Sequence, residues 1–248
     1  VGAIADYSSL KKRFLFLSSL VCVIFTLMLF FTGQGTLTIA IVFLVLSNMG
    51  FSFSENLISS FLPDIASKED MGRVSGYGWG LGFIGGILAL LGSIIIMKVY
   101  ADSALNVRLT FVFTAIFFGA STIPTFLWLK EKKGLQTKSK GFLTYVKIGY
   151  NRLAKTFQHI RSFNELVKLL LASFFYYAGL ATVISFAAIY AEKTLLFDQT
   201  ENILLIIIIN ITAAIGAVLF GFIQDMIGAK KTLVSTLILW LFVISGVY

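Results

Sequence analysis

Amides, hydroxyls and one acid placed inside apolar runs are the residues of this chain with the most to offer chemically. Asn48, Ser52, Glu55 and Ser59 are spaced +4, +3 and +4, which puts them on one helix face, with Asn56 beside them. A carboxylate deep in hydrocarbon costs on the order of 2.5–3.5 kcal/mol on insertion scales, so an intramembrane acid faces a cavity or a partner. Glu55 is therefore the first candidate for contact with a substrate, a proton or an ion. The alternative keeps it at the inner membrane interface, within reach of water or paired with Arg73. Tyr176, Tyr177 and Thr182, followed by Ser185, put hydroxyls on a second apolar run, and Asn210 puts an amide on a third. Such groups can bind a small polar ligand. They also serve as interhelical hydrogen bonds worth about 0.6 kcal/mol each.

No constellation for catalysis is present. Serine, histidine and acids do not cluster, and the single histidine, His159, has no cysteine, acid or second histidine near it for a metal. Gly80-Leu-Gly82-Phe-Ile-Gly85 matches a dinucleotide pattern literally, but that loop needs a preceding strand and a soluble βαβ unit. There is no Walker loop. No enzyme activity, metal or cofactor is expected.

The elements that must position these residues are membrane helices. The chain is 58% hydrophobic and 13% charged, with a mean hydropathy of +0.91. A soluble domain carries about one quarter charged residues. The apolar runs are continuous rather than alternating, which argues for helices and against a porin-like barrel. A span needs about 20 residues. Seven are expected: Phe14–Thr32, Leu37–Ser60, Ser75–Met97, Leu109–Leu129, Lys168–Tyr190, Ile203–Phe222 and Thr232–Tyr248. The last run is unfinished and no initiator Met is present, so the chain reads as a fragment with both ends missing. Cys22 sits inside the first run as inert packing.

Charge sets the orientation. With Lys11, Lys12 and Arg13 in the cytoplasm, alternation places seventeen of the basic residues inside and three outside. The net charge of +8 is then a topology signal, and no nucleic-acid partner is expected. The long loop from Lys130 to Lys168 holds ten of the inside charges. Phe142, Val146, Leu153, Phe157 and Ile160 share one face of it, as in an amphipathic helix on the inner membrane surface or a plain linker helix.

One pattern occurs twice. Gly2, Asp6, Lys11 and Lys12 recur as Gly221, Asp225, Lys230 and Lys231, 219 residues later and with identical spacing. Each copy lies before a long apolar run. A repeated Gly–Asp–basic loop between membrane helices points to a transporter of two related halves. The third run is glycine-rich: Gly78, Gly82 and Gly86 repeat every four residues, as do Gly76 and Gly80, a spacing that allows close helix packing.

The repeated loops resemble the Gly-x-x-x-Asp-x-x-Gly-x-x-basic motif of the major facilitator superfamily, with Gly228 as the internal glycine of the second copy. Phe61-Leu-Pro63-Asp64 followed by Gly72-Arg73-Val-Ser75-Gly76-Tyr-Gly78-Trp79-Gly80, and Ala187-Ala-Ile-Tyr190, are similar to the autophagy-related vacuolar effluxer family and its bacterial relatives. The resemblance implies an all-α polytopic membrane protein, a major-facilitator-type bundle of twelve helices, of which about seven are present here. Residues 1–129 would belong to the N-terminal half, 130–167 to a cytoplasmic linker and 168–248 to the C-terminal half. It implies alternating access by a secondary active transporter, efflux of small solutes, amino acids among them, and a proton or ion as coupling partner. Asp6 and Asp225, with Arg73 and the lysines, would form a cytoplasmic gate. The membrane would be cytoplasmic in a bacterium and vacuolar in a fungus. Where relatives carry Asn-Asp, this chain has Tyr177 and Ala178, so an acid that could couple protons is absent there. A ligand sensor or scaffold without flux, and a membrane-embedded enzyme, are the competing functions.

Overall fold

In hydrocarbon every backbone N–H and C=O must be satisfied within its own segment, and this chain meets that constraint as helix. The computed structural model describes residues 11–33, 35–100, 105–129, 150–151, 154, 164–197 and 199–246. Its long helices are α1 (Lys11–Met28), continued by a 3-10 turn at Leu29–Phe31, α2 (Leu37–Ser59), α3 (Met71–Val99), α4 (Asn106–Trp128), α5 (Asn164–Lys193), α6 (Gln199–Ile227) and α7 (Ala229–Gly246). A helical turn at Leu62–Ile65, with Pro63 as its second residue, precedes α3. Among the described residues seven helical stretches are long and apolar enough to cross a membrane, one for each expected span. The chain is a polytopic helical membrane protein. The basic loop with its expected amphipathic helix, His159 included, lies almost wholly outside the described residues, as do Gly2 and Asp6.

The chain separates into two compact units, one of Val1–Ser8 with Leu135–Ile209 and one of Ser9–Gly134 with Asn210–Tyr248. In the second unit α1 packs on α2 and α4, and α3 packs on α4. The α1–α2 contact is a seam of small polar residues. Ser18, Ser19, Cys22 and Thr26 of α1 meet Ser47, Gly50 and Ser54 of α2. Thr26 and Ser47 hydroxyls lie 2.7 Å apart, Ser54 donates to Ser18 at 2.9 Å, and Ser19 and Ser54 are 3.2 Å apart. Cys22 is buried here with its Sγ 3.7 Å from the Ser47 hydroxyl. Gly50 makes the seam possible: a Cβ on it would stand 2.7 Å from the Cys22 nitrogen and 2.8 Å from the Ser18 carbonyl. Small residues at this spacing let backbones approach, where dispersion and hydroxyl bonds replace the hydrophobic effect that lipid does not supply.

Aromatic pairs close the α4 side. Phe16 meets Phe126 edge-on at 5.3 Å, and Phe51 lies 6.1 Å from Phe118. The α1–α2 turn is held by the Thr36 hydroxyl, which accepts from the Gly33 N–H at 2.7 Å, and by Gly35 at φ +83°. Outward side chains are apolar: Leu81, Leu127 and Phe242 are 68%, 71% and 74% exposed. In water such a surface would aggregate, and lipid or further helices are its natural surroundings.

In the first unit α5 is 30 residues long, about 45 Å at 1.5 Å per residue, more than the hydrocarbon core requires. It ends with Leu196 in the left-handed region at φ 58° while the Phe197 N–H returns to the Ala191 carbonyl at 3.0 Å.

Because the Gly50 position is enclosed by backbone rather than by flexible side chains, Gly50→Leu must push α1 from α2. Thermal unfolding of the full-length protein in detergent should show a loss of about 1–3 kcal/mol or failure to fold, and unchanged stability would refute the seam.

Candidate functional site

The first turn of α3 presents N–H groups with no intrahelical acceptor. An N-cap side chain usually meets them, but Asp70 at that position makes no cap bond. Their acceptor comes instead from the other end of the sequence. Asp225, in the last turn of α6, accepts from the Gly72 N–H through Oδ1 at 2.7 Å and from the Arg73 N–H through Oδ2 at 2.8 Å. The Arg73 Nε donates to the same Oδ2 at 3.2 Å. Arg73 also pairs with Asp70, which accepts from the Ser67 hydroxyl at 2.8 Å. A carboxylate there is favoured by the partial positive charge of a helix N-terminus as well as by the guanidinium. The Asp225 side chain is only 10% exposed, against 42% for Arg73.

The carboxylate reaches because the helices touch backbone to backbone. Gly72, Gly76 and Gly80 of α3 are buried. A Cβ on Gly76 would stand 2.5 Å from the Ala217 carbonyl oxygen, and one on Gly221 would stand 2.6 Å from that of Gly72. Gly221 and Asp225 are one turn apart and face the same way, the glycine admitting the partner backbone and the acid holding its end. Phe222 lies between them in sequence. Its ring meets Tyr77 edge-on at 5.9 Å and lies 5.8 Å from the Arg73 guanidinium carbon. Gly228, at φ +89°, lets the chain turn directly from α6 into α7, and Thr232 is buried with its hydroxyl on the Gly228 carbonyl at 3.0 Å. No ligand or metal is needed to complete the arrangement: the acceptor and its donors are all protein groups. Among the described residues no group of three or more His, Cys, Asp or Glu could hold a metal.

Of the expected gate residues, the structure brings together Arg73, Gly221 and Asp225. Lys230 and Lys231 are exposed at the start of α7 and make no ion pair with Asp225, whose partners are Arg73 and the α3 backbone. Lys12 donates to the Leu129 carbonyl at the end of α4 at 2.8 Å, and the Lys11 ammonium lies 5.8 Å from the Phe61 ring. Gly2 and Asp6 lie outside the described residues.

The glycines of α3 divide between two faces. Gly78 and Gly82 meet nothing within 4 Å among the described residues, and the row that packs is Gly72, Gly76 and Gly80. The two rows are offset by two residues, about 200° around the helix, so over Gly72–Gly82 only one faces α6. Gly86 does look across to α6, where its Cβ would stand 3.6 Å from the Asn210 side-chain oxygen.

The polar stripe of α2 is mixed. Asn48 donates to the Leu44 carbonyl and Ser59 to the Glu55 carbonyl, both at 2.9 Å, so these side chains fold back on their own helix. Ser52 is exposed and its carbonyl accepts from Asn56 at 2.8 Å. Glu55 is half-buried and lines a cavity. It does not pair with Arg73, which is taken by the two aspartates. In α5, the Tyr176 and Tyr177 rings meet edge-on at 5.6 Å, and Thr182 bonds back to the Ala178 carbonyl at 2.9 Å. Sequence reasoning named Gly72 and Tyr77 only within the family signature, and passed over Phe222 and the buried Ser47–Gly50–Ser54 row. The signal for the last was small residues at +3 and +4, one position away from the more polar stripe.

Helices that meet through glycine, with a part-buried acid across one end of the contact, define a multi-pass helical membrane bundle. The model for the vacuole effluxer Atg22-like family matches residues 1–248, and the chain belongs to that family. It is similar to the uncharacterized MFS-type transporter YxiO of Bacillus subtilis, with 26% identity over 98% of this chain and 57% of that protein. It is also similar to Autophagy-related protein 22-1 of Penicillium rubens, 26% identical over 68% of this chain and 30% of the relative. Autophagy-related protein 22 of Coccidioides immitis is 22% identical over 90% and 46%. The chain thus spans between about a third and somewhat over half the length of these curated relatives. No solved structure matches it.

Gly76→Leu and Gly221→Leu should both pry α3 from α6 and expose the Gly72 and Arg73 amides. Hydrogen exchange at these two amides should accelerate in either variant and stay unchanged in Gly82→Leu. Equal exchange in all three would refute the seam.

Proposed function

We propose that this chain forms part of a secondary active transporter that moves small solutes across a membrane by alternating access, in the efflux direction, with amino acids as candidate substrates and a proton or ion as candidate coupling partner. Membership of the vacuole effluxer family and likeness to a protein named as an MFS-type transporter support the reading. The membrane would be the cytoplasmic membrane if the protein is bacterial and the vacuolar membrane if it is fungal.

The observation that carries it is the bond from Asp225 to the start of α3. On the orientation expected from the charge bias, both helix ends lie on the cytoplasmic side. Helices that meet through glycine interlock few side chains, so they can part without repacking a core, and the carboxylate and Arg73 then act as the fastening. Such a fastening suits a gate that is shut in one state and open in another, and the state described here has it shut. Solute specificity would belong to the membrane-embedded cavities rather than to this latch.

The test uses the full-length protein in proteoliposomes with radiolabelled solutes, amino acids first. Solute moving down or against a gradient supports transport, whereas binding with no flux under any gradient would make the protein a sensor or scaffold. The latch has its own readout. In a Cys22→Ser background, Ala214→Cys lies along the α3–α6 groove. Asp225→Ala should raise its labelling by a charged thiol reagent from the cytoplasmic side by about fivefold or more, the lower end of typical coupling between conformational states. An unchanged labelling rate would remove Asp225 from the gate.

A further inference from the structure

Two cavities in the second unit share a wall. The first, about 210 Å³, is a half-open cavity between α1, α2, α3 and α4, with Phe51, Glu55, Trp79, Phe118 and Thr125 in its lining. The second, about 430 Å³, lies between α2 and α3 and extends past Leu62, Ile65, Val74 and Ser75, where the two helices approach their shared end. Glu55, Ile58 and Trp79 line both. Glu55 therefore stands at a partition between an inner chamber and one that reaches the latch end of the bundle.

The polar groups of the inner chamber can be accounted for one by one. Ser19 and Ser54 are 3.2 Å apart, and Ser54 also bonds Ser18 and the Gly50 carbonyl, each at 2.9 Å. Thr122 donates to the Gly119 carbonyl at 2.7 Å. That leaves the Glu55 carboxylate and the Thr125 hydroxyl, for which no protein partner is found among the described residues. An ionised carboxylate within a membrane span calls for a cation. Among the described residues no lysine, arginine or histidine lines either cavity. Aromatic rings do, and their negative faces attract ammonium groups. The volume sets the size: at about 30 Å³ per water, 210 Å³ holds roughly seven waters' worth of ligand, far below a drug-sized molecule.

We propose that this chamber is a binding subsite for a small protonated organic amine, its ammonium on Glu55 and its compact apolar body against Phe51, Trp79 and Phe118. A carboxylic acid finds no positive partner there, and a zwitterion finds one for its ammonium alone. The ligand reaches the chamber from the second cavity by displacement of Trp79 and Ile58. As a step in a solute path, the subsite rests on the transport reading above.

Calorimetric titration of the full-length protein in detergent tests it with three probes that share one carbon skeleton: isopentylamine, leucine and isovalerate. The amine should bind, leucine more weakly, and isovalerate not at all. Glu55→Gln should weaken amine binding by about tenfold or more, as expected on losing a charged hydrogen bond, with thermal unfolding unchanged. Affinity within twofold of the native protein, or isovalerate binding as well as the amine, overturns the proposal. Should Glu55→Gln fail to fold, Phe118→Trp fills the chamber without touching the carboxylate and must abolish amine binding; undiminished binding in that variant overturns the proposal as well. Glu55-dependent amine binding in a protein that supports no flux would keep the subsite and remove the transport reading. Flux with Glu55-independent amine binding would do the reverse.

Discussion

Two helix backbones touch where α3 meets α6, and much of the second unit is arranged around that contact. In lipid, helices gain nothing from hiding apolar side chains from one another, so association depends on how closely backbones can come. Gly72, Gly76 and Gly221 bring them to the limit. At that range a side chain of α6 can reach the open amides at the start of α3, which in most helices are met by a residue of the same segment. Asp225 is that side chain, and Arg73 neutralises it from beside the same turn. The glycine and the acid of the repeated motif are thus two halves of one device, and neither explains the other's spacing alone.

The same logic recurs between α1 and α2, where Gly50 admits the backbone of Cys22 and a ladder of serine and threonine hydroxyls bonds across the gap. The two seams differ in how they are fastened. Several neutral hydroxyl bonds along the length of α1 and α2 hold that pair as a fixed block. The α3–α6 pair concentrates its polar fastening at one end, in a carboxylate, two amides and a guanidinium. A contact fixed along its length resists separation everywhere, whereas one fixed at its end opens when that end is released. This difference is what makes the second seam the natural candidate for movement, with Glu55 and its chambers lying between the block and the latch.

How much was legible beforehand depends on the scale of the pattern. Seven helices, their approximate limits and the relevance of Asp225 and Arg73 were readable because apolar run length and a repeated Gly–Asp–basic spacing are one-dimensional signals. The start of α3 was set four residues late, at Ser75 instead of Met71, because the cap that sustains its first turn comes from residue 225. The lysines behind Asp225 looked like its partners from their nearness in sequence. In the structure they open α7 beyond the left-handed Gly228, and a more distant arginine takes the acid.

Composition and periodicity alone determined that this chain is helical, lies in a membrane and carries matching loops, since hydrocarbon leaves a continuous apolar run one way to satisfy its backbone. Only the tertiary structure decided which of two glycine rows faces a neighbour, which serines are buried, and that Glu55 opens on a cavity rather than pairing with Arg73. Rows of identical spacing are equivalent in a sequence. They become different only when a second helix arrives at one side, and that arrival is a property of distant residues meeting.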